Sequence, residues 1–422
     1  MKPIVFLTSG TRGDVQPVSY LARAMQDKGH SVRVAAPLNF QEIVEAQSVP
    51  FVPLKGNPSD LLTAPGAQSA LTFNNSPLQG IKSALEYLKA AKPVYAEMIQ
   101  NAWLASQDAS ALVIGLPTIW GSSLAEKLGI PCIGAFLQPV TSTNEFPSPL
   151  LPTTLKLGRG YNKLTYWLIS QSVHLPWMGV INKWRKESLG LNSLPFFCSY
   201  FEKMNAILYG FSERVLPRPN DWGERNFITG YWSAPDSSYS PSDELKSFLA
   251  VNEKPFFFGF GSPGMHDPQA LFELLITAIE KTGIRAVISL PKDINAVIQS
   301  KNIFLQKETI PHRWLFPQMA GIIHHGGAGT TAEALKSGVP SFVTPLAVDQ
   351  FFWGERVYQL GVGPRAVPQR ELTGKNLVNA LNEMKGKVMK ENAKKLGKEL
   401  RTENGIAEAA RILETLLKTI AG

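Results

Sequence analysis

Gly321-Ile322-Ile323-His324-His325-Gly326-Gly327-Ala328-Gly329-Thr330-Thr331 joins an apolar run to a glycine turn, then to a helix expected to open at Thr330 or Thr331. Glycines at 326, 327 and 329 remove side chains where a chain bends sharply and where a ligand can approach the backbone. The helix after the turn aims free N–H groups and its positive end at the gap, which makes an anion site. His325 and Thr330 add side-chain donors there, and a phosphate or diphosphate is the simplest anion to place. An ordinary strand–turn–helix would need the glycines for packing alone; paired histidines entering the turn favour the ligand. A second reactive group stands near the N-terminus. The apolar run 4–8 leads into Ser9-Gly10-Thr11-Arg12-Gly13-Asp14, so Asp14 is displayed where a first strand ends, the ligand edge of an α/β sheet. Asp14 can also N-cap a helix with Pro17 in its first turn.

Positioning such groups takes alternating strands and helices, and the chain supplies them twice. Val18, Leu21, Ala22 and Met25 share one helical face that ends at Gly29, and a strand follows over 31–36. The segment 57–79 reads as loop and 81–103 as helix. A strand at 111–114, a helix at 121–128 and a strand at 131–136 complete the first series. An irregular stretch over 138–160 precedes aromatic and basic residues mixed over 161–185, Tyr166, Trp167, Trp177, Trp184, Lys163 and Arg185 among them. These read first as core with a solvated face, and otherwise as an apolar acceptor cleft or a bilayer contact. Prolines 217, 219, 235 and 241 mark a linker over 215–242. The alternation then restarts, with strands at 256–260, 286–290, 303–306, 321–324 and 341–343, and helices at 269–281 and 351–360. Two such series imply two doubly wound parallel sheets facing across a cleft. We place an N-terminal domain at 1–218, a second at 219–405, and a terminal helix at 406–422. Ile406, Ala409, Ala410, Leu413, Leu416, Leu417 and Ile420 form one stripe of that helix, which is expected to dock back towards the first domain.

Composition limits the function classes. The 422 residues exceed one ordinary core, and 44% hydrophobic against 18% charged residues excludes disorder. Forty-two Lys and Arg against 34 Asp and Glu leave +8, which suits an anionic ligand or an anionic membrane surface. Nucleic acid is disfavoured, because the basic residues are dispersed and no nucleic-acid motif occurs. Cys132 and Cys198 lie in apolar contexts and read as core thiols in a reducing compartment. No secretory leader and no membrane-length apolar run is present, so a cytoplasmic protein is expected, with a peripheral membrane contact left open. The first glycine loop does not match G-x-G-x-x-G, which disfavours dinucleotide chemistry.

The residues from 310 to 363 resemble the donor-binding signature of family 1 glycosyltransferases, which have the GT-B fold of two facing Rossmann-like domains. The resemblance is strongest to the branch of sterol glucosyltransferases and bacterial natural-product glycosyltransferases. It rests on Pro311-His312-Arg313-Trp314-Leu315-Phe316-Pro317, His324-His325-Gly326-Gly327-Ala328-Gly329-Thr330-Thr331, Gly338-Val339-Pro340 and Asp349-Gln350-Phe351-Phe352. Gly10 to Pro17, Gly259 to Ser262, and Phe136 to Phe146 with Gln138 resemble further parts of the branch, so the likeness spans most of the chain.

The resemblance implies roles. A UDP-sugar donor would set its diphosphate against His325, Gly327, Gly329, Thr330 and Ser262. Its sugar hydroxyls would meet Asp349 and Gln350, and its uracil would meet Trp314 or the Leu315 backbone. Gly13, Gln138 and Phe146 would line the side of a hydrophobic acceptor. Asp14 takes the place of the branch's catalytic base, where many relatives have His. The implied reaction inverts the anomeric centre, moving a hexose, glucose by resemblance to this branch, to the hydroxyl of a sterol or related lipid alcohol. The alternatives are a deoxysugar donor, a carotenoid, hopanoid or polyketide acceptor, and an inactive nucleotide-sugar-binding regulator. No Asp-x-Asp occurs in the chain, so no metal and no cofactor is expected.

Overall fold

Short apolar runs with both faces covered make the strands, as a parallel sheet between helices demands. The computed structural model describes residues 2–56, 77–152, 155, 157–233, 239–260, 268–289, 300–306 and 308–421. The first half runs β1 (Ile4–Leu7), α1 (Arg12–Asp27), β2 (Val32–Pro37), α2 (Gln41–Glu45), β3 (Phe51–Leu54), α3 (Pro77–Ser106) and β4 (Ala111–Ile114). It continues with α4 (Ser122–Leu128), β5 (Cys132–Phe136), α5 (Arg159–His174), α6 (Met178–Trp184), β6 (Ala206–Tyr209) and β7 (Asn226–Ile228). These strands form one parallel sheet in the order β3-β2-β1-β4-β5-β6-β7.

The second half runs α7 (Asp243–Leu249), β8 (Phe256–Gly259), α8 (Pro268–Thr282), β9 (Ala286–Ser289), β10 (Ile303–Gln306), α9 (His312–Leu315) and β11 (Gly321–His324). Then come α10 (Ala328–Ser337), β12 (Ser341–Val343), α11 (Gln350–Gln359), α12 (Gly374–Met384), α13 (Lys387–Leu400) and α14 (Gly405–Ala421). Its parallel sheet has the order β10-β9-β8-β11-β12. The molecule is α/β, with two doubly wound sheets. Strand order reverses between β1 and β4 in the first and between β8 and β11 in the second. Those are the crevices where open α/β sheets bind ligands.

Several boundaries differ from the sequence reading. Helix α1 opens at Arg12 rather than near Pro17, because Thr11 is its N-cap residue and Pro17 is carried inside. Helix α10 opens at Ala328, with Gly327 as N-cap, so the glycine turn is shorter than expected. Helix α3 starts at Pro77, and the rest of the 57–79 loop lies outside the described residues. β7 falls in the expected linker and pairs with β6, so the first sheet continues beyond residue 218. Helix α14 packs against α1, with Ala409, Ala410 and Leu413 in the core cluster that holds Val15, Val18 and Leu21. The halves also meet where Arg356 donates to the Val215 carbonyl at 2.6 and 3.0 Å and Ser212 donates to Glu403 at 2.7 Å.

Candidate active site

The turn after β1 folds around a carboxylate. Gly10 adopts φ +106°, and a Cβ there would sit 2.7 Å from Asp14 Oδ2. The backbone N–H and the hydroxyl of Thr11 each donate to Asp14 Oδ2 at 2.8 Å. Asp14 is therefore the N3 half of a capping box, not the N-cap residue, and among the described residues no hydrogen bond goes to its Oδ1. Burial raises its pKa above the ordinary aspartate value, against the lowering pull of both Thr11 donors. The raised value makes it a better proton acceptor near neutral pH than a free aspartate. Gly13 is exposed in the same turn, with an extra Cβ meeting only the Thr11 hydroxyl at 3.4 Å.

Across the cleft, β11 delivers two histidines with different jobs. His324 is wholly buried, and its Nδ1 accepts from the Gly326 N–H at 3.1 Å, which shapes the turn. His325 is half-buried at the turn itself. Burial lowers its pKa, against the raising pull of a hydrogen bond to the Gly259 backbone, which favours the neutral imidazole in the free site. Gly326 has φ +91°, and a Cβ there would lie 2.6 Å from Val343; a Cβ on Gly327 would lie 2.6 Å from His325 Nε2. Gly329 has open space around it. The first backbone bond of α10 runs from Thr331 N–H to the Gly327 carbonyl. That leaves the Ala328, Gly329 and Thr330 amides as first-turn donors without an intrahelical acceptor, beside His325 and at the β8/β11 crevice.

The third element is the turn before α11. Asp349 is 9% exposed, and its Oδ2 accepts from Trp353 Nε1 and from Gln138 Nε2 of the first half, each at 3.1 Å. Burial lifts its pKa to about 6; the Gln138 and Trp353 donors oppose the rise and the Asp14 charge adds to it. Gln350 is braced, its Oε1 accepting from the Leu346 and Ala347 amides at 2.7 and 3.2 Å. Val348 holds φ +51°, a strained conformation for a β-branched residue, next to the two candidate sugar ligands. Phe146 packs on Phe352, with ring centroids 5.4 Å apart. The two acceptor-side residues Gln138 and Phe146 thus both reach the donor half. Burial brings the His312 pKa down to about 4, with the His325 charge and then the Arg12 charge lowering it further. With the Asp14–Asp349 interaction, this sets the first turn of α1 opposite the donor loops.

The residues expected to meet a nucleotide base divide. Leu315 is wholly buried in the second core and its N–H donates to Pro311, so neither its side chain nor that N–H is open to a base. Trp314 is half-buried, edge-on to Tyr239 with centroids 5.0 Å apart. Ser262 lies outside the described residues. Thr11, Arg12 and Trp353 were not foreseen. Only Trp353 had a readable signal, four residues after Asp349 and so on the same helical face.

Residues 4–147 match the profile described as the glycosyltransferase family 28 N-terminal domain, and 275–416 match the erythromycin biosynthesis protein CIII-like C-terminal domain. A sterol 3-beta-glucosyltransferase of Arabidopsis thaliana, UGT80B1, is 33% identical over 430 residues, covering 96% of this chain and 66% of that protein. A sterol 3-beta-glucosyltransferase of Komagataella phaffii is 31% identical over 440 residues, covering 97% of this chain and 34% of its own length. The chain belongs to the glycosyltransferases that these two profiles describe, which together match more than half of it. It spans somewhat less than two thirds of the plant relative and about one third of the yeast one. Among solved structures, the kitacinnamycin glycosyltransferase superposes with TM-score 0.73 at 19% identity, covering 99% of each chain. The calicheamicin glycosyltransferase CalG4 gives 0.70 at 16%, with full coverage of both. The family fold is therefore GT-B. In this family member no helix among the described residues is long and apolar enough to cross a membrane.

Proposed function

We propose that this chain transfers glucose from UDP-glucose to the hydroxyl of a sterol or related lipid alcohol, with inversion at the anomeric carbon. The observation that supports it best is the opposition of two crevices, one carrying Asp14 and the other His325 with the open N-terminus of α10. In the proposed step the acceptor oxygen forms a bond to the anomeric carbon as the bond from that carbon to the diphosphate oxygen breaks. The hydroxyl proton passes to Asp14. The charge released on the diphosphate is met by the Ala328, Gly329 and Thr330 amides and by His325, which a bound diphosphate would draw towards its protonated form. Asp349 and the amide nitrogen of Gln350 would hold sugar hydroxyls, and Trp314 is the candidate partner for the base. The names of the relatives, sterol 3-beta-glucosyltransferases, support the sterol acceptor and the glucosyl group, and UDP as its carrier rests on the resemblance of the donor motif.

Charge stabilisation by a helix terminus and a histidine leads us to infer that no metal is required. The buried free thiols Cys132 and Cys198 suit a reducing cytoplasm. A second reading, a deoxysugar donor with a polyketide-like acceptor, is prompted by the C-terminal profile only so far as its description names erythromycin biosynthesis. Mass spectrometry of products from a panel of lipid alcohols, offered UDP-glucose or dTDP-deoxysugars with and without EDTA, separates these readings. Glucosides formed in EDTA are the expected result. Donor hydrolysis without transfer to any alcohol would sink the reading.

A further inference from the structure

Helix α5 is built inside out. Its inward residues include polar side chains bonded to the loops beneath, although Asn162 Oδ1 and Gln171 Oε1 are buried with no partner among the described residues. Asn162 donates to the Asn144 carbonyl at 2.7 Å, Thr165 accepts from the Ser148 N–H at 2.7 Å, and His174 meets Tyr200 at 3.0 Å. Its outward face carries large apolar side chains beside Arg159 and Lys163: Leu164 is 50% exposed, Trp167 47% and Leu168 46%. The spacing i, i+3, i+4 makes these three a continuous stripe. Phe196 and Phe197, 59% and 56% exposed, extend it, with the Trp167 and Phe197 rings 5.5 Å apart. Single exposed apolar residues are ordinary on a monomer, whereas a contiguous aromatic patch marks a surface that something apolar covers.

Charge selects the occupant. No Asp or Glu occurs from Phe146 to Lys186, while Lys156, Arg159, Lys163, Lys183, Arg185 and Lys186 do. Arg185 is buried against Glu126, but Arg159 and Lys163 are exposed on α5 itself. A second copy of this chain would set those cations against each other. An anionic membrane attracts them while its acyl region takes the aromatics. We propose that the outward face of α5, with Phe196 and Phe197, is a docking surface for an anionic lipid bilayer. The inward face of α5 holds the acceptor loop, through Asn144, Ser148 and the Tyr166 bond to the Pro139 carbonyl, and Gln138 of that loop touches Asp349. Docking therefore sets the acceptor side of the cleft beside the lipid. This extends the lipid-alcohol reading of the function by naming where the acceptor is met.

The test sediments the full chain with vesicles of phosphatidylcholine alone or mixed with phosphatidylglycerol. The chain is expected to pellet with the mixed vesicles and to stay free of the neutral ones. Combined Trp167→Ser and Phe197→Ser substitution is expected to weaken partition roughly tenfold or more. Lys163→Gln should weaken it about fivefold, the equivalent of ~1 kcal/mol per cation near an anionic surface. Melting temperature should hold in both, because the altered side chains are exposed. No pelleting of the unaltered chain, or pelleting indifferent to all these substitutions, overturns the proposal. So does a dimer in solution that the double variant splits, which would assign the face to a second copy. Vesicle binding without transfer to any lipid alcohol would sink the functional reading and leave the docking surface standing. Transfer to detergent-dispersed alcohols without vesicle binding would do the reverse.

Discussion

Two carboxylates in one cleft, both pushed above the ordinary aspartate range, impose different costs. Among the described residues the Asp14 carboxylate bonds only to Thr11, and Asn at 14 keeps an oxygen that can accept the Thr11 N–H. Asp14→Asn should therefore leave the melting temperature and UDP affinity nearly unchanged while turnover falls by roughly 10²–10⁴, since the amide cannot take the proton. A folded variant turning over at the original rate would remove Asp14 from the chemistry. Asp349 binds its proton more tightly in the folded chain, at about 6, than a free aspartate at 3.8. Between those values the folded state holds more protons than the unfolded one, so stability declines as pH rises through that window. Above it the full cost, on the order of 3 kcal/mol, is present. Asp349→Asn should then melt higher than the parent at neutral pH, and the advantage should vanish towards pH ~3.8 as both side chains become neutral. Sugar transfer should fall at the same time. Calorimetry at two pH values checks this, and equal melting of the two proteins at neutral pH would show that Asp349 carries no such cost.

Elements were legible where a pattern had length or a special residue. Strand β4 and the α14 stripe show plainly in the sequence, and so does the turn between β11 and α10, because only glycine fits φ +91° at 326 against Val343. β3, β6 and β7 went unseen although they are no shorter than β12: β7 lies inside the proline-marked stretch read as a linker, and β6 shortly before it. Pro53 inside β3 disguises it, although an edge strand tolerates proline. The start of α10 was misplaced because Ala328 and Gly329 resemble turn residues, while the backbone bond from Thr331 to Gly327 already closes a helical turn. Asp14 and His325 could be named from the ends of their strands. Their facing one another could not, because no local pattern encodes a contact between residues so far apart in the chain. Gly326→Ala tests the turn. A methyl group there meets Val343 and the Gln350 carbonyl, at 2.6 and 3.0 Å, in a backbone region that alanine disfavours. A loss of about 1–3 kcal/mol is expected, with weakened UDP binding because the α10 amides shift. A variant that melts and binds UDP like the parent would show that the turn relaxes freely.

At the scale of the whole molecule, the last helix holds the first one. α14 follows the second sheet in sequence yet buries Ala409, Ala410 and Leu413 with Val15, Val18 and Leu21 of α1, whose opening turn carries Asp14. Lys28 and Glu414 add an ion pair at 3.0 Å on the same seam, but both are partly exposed and contribute little beside the apolar contact. Leu413 is wholly buried, so Leu413→Ala removes its methyl groups from a closed core and should cost about 2–5 kcal/mol. The functional consequence is directional. The proposed donor ligands stand on β11, α10 and α11, and the proposed base stands on α1. Loosening α1 should therefore lower turnover more than it lowers UDP-glucose affinity. Melting temperature, donor affinity by calorimetry and the initial rate with a detergent-dispersed lipid alcohol should be read together on the one variant. If turnover and donor affinity fall in equal proportion, the helix supports the molecule generally and does not position Asp14.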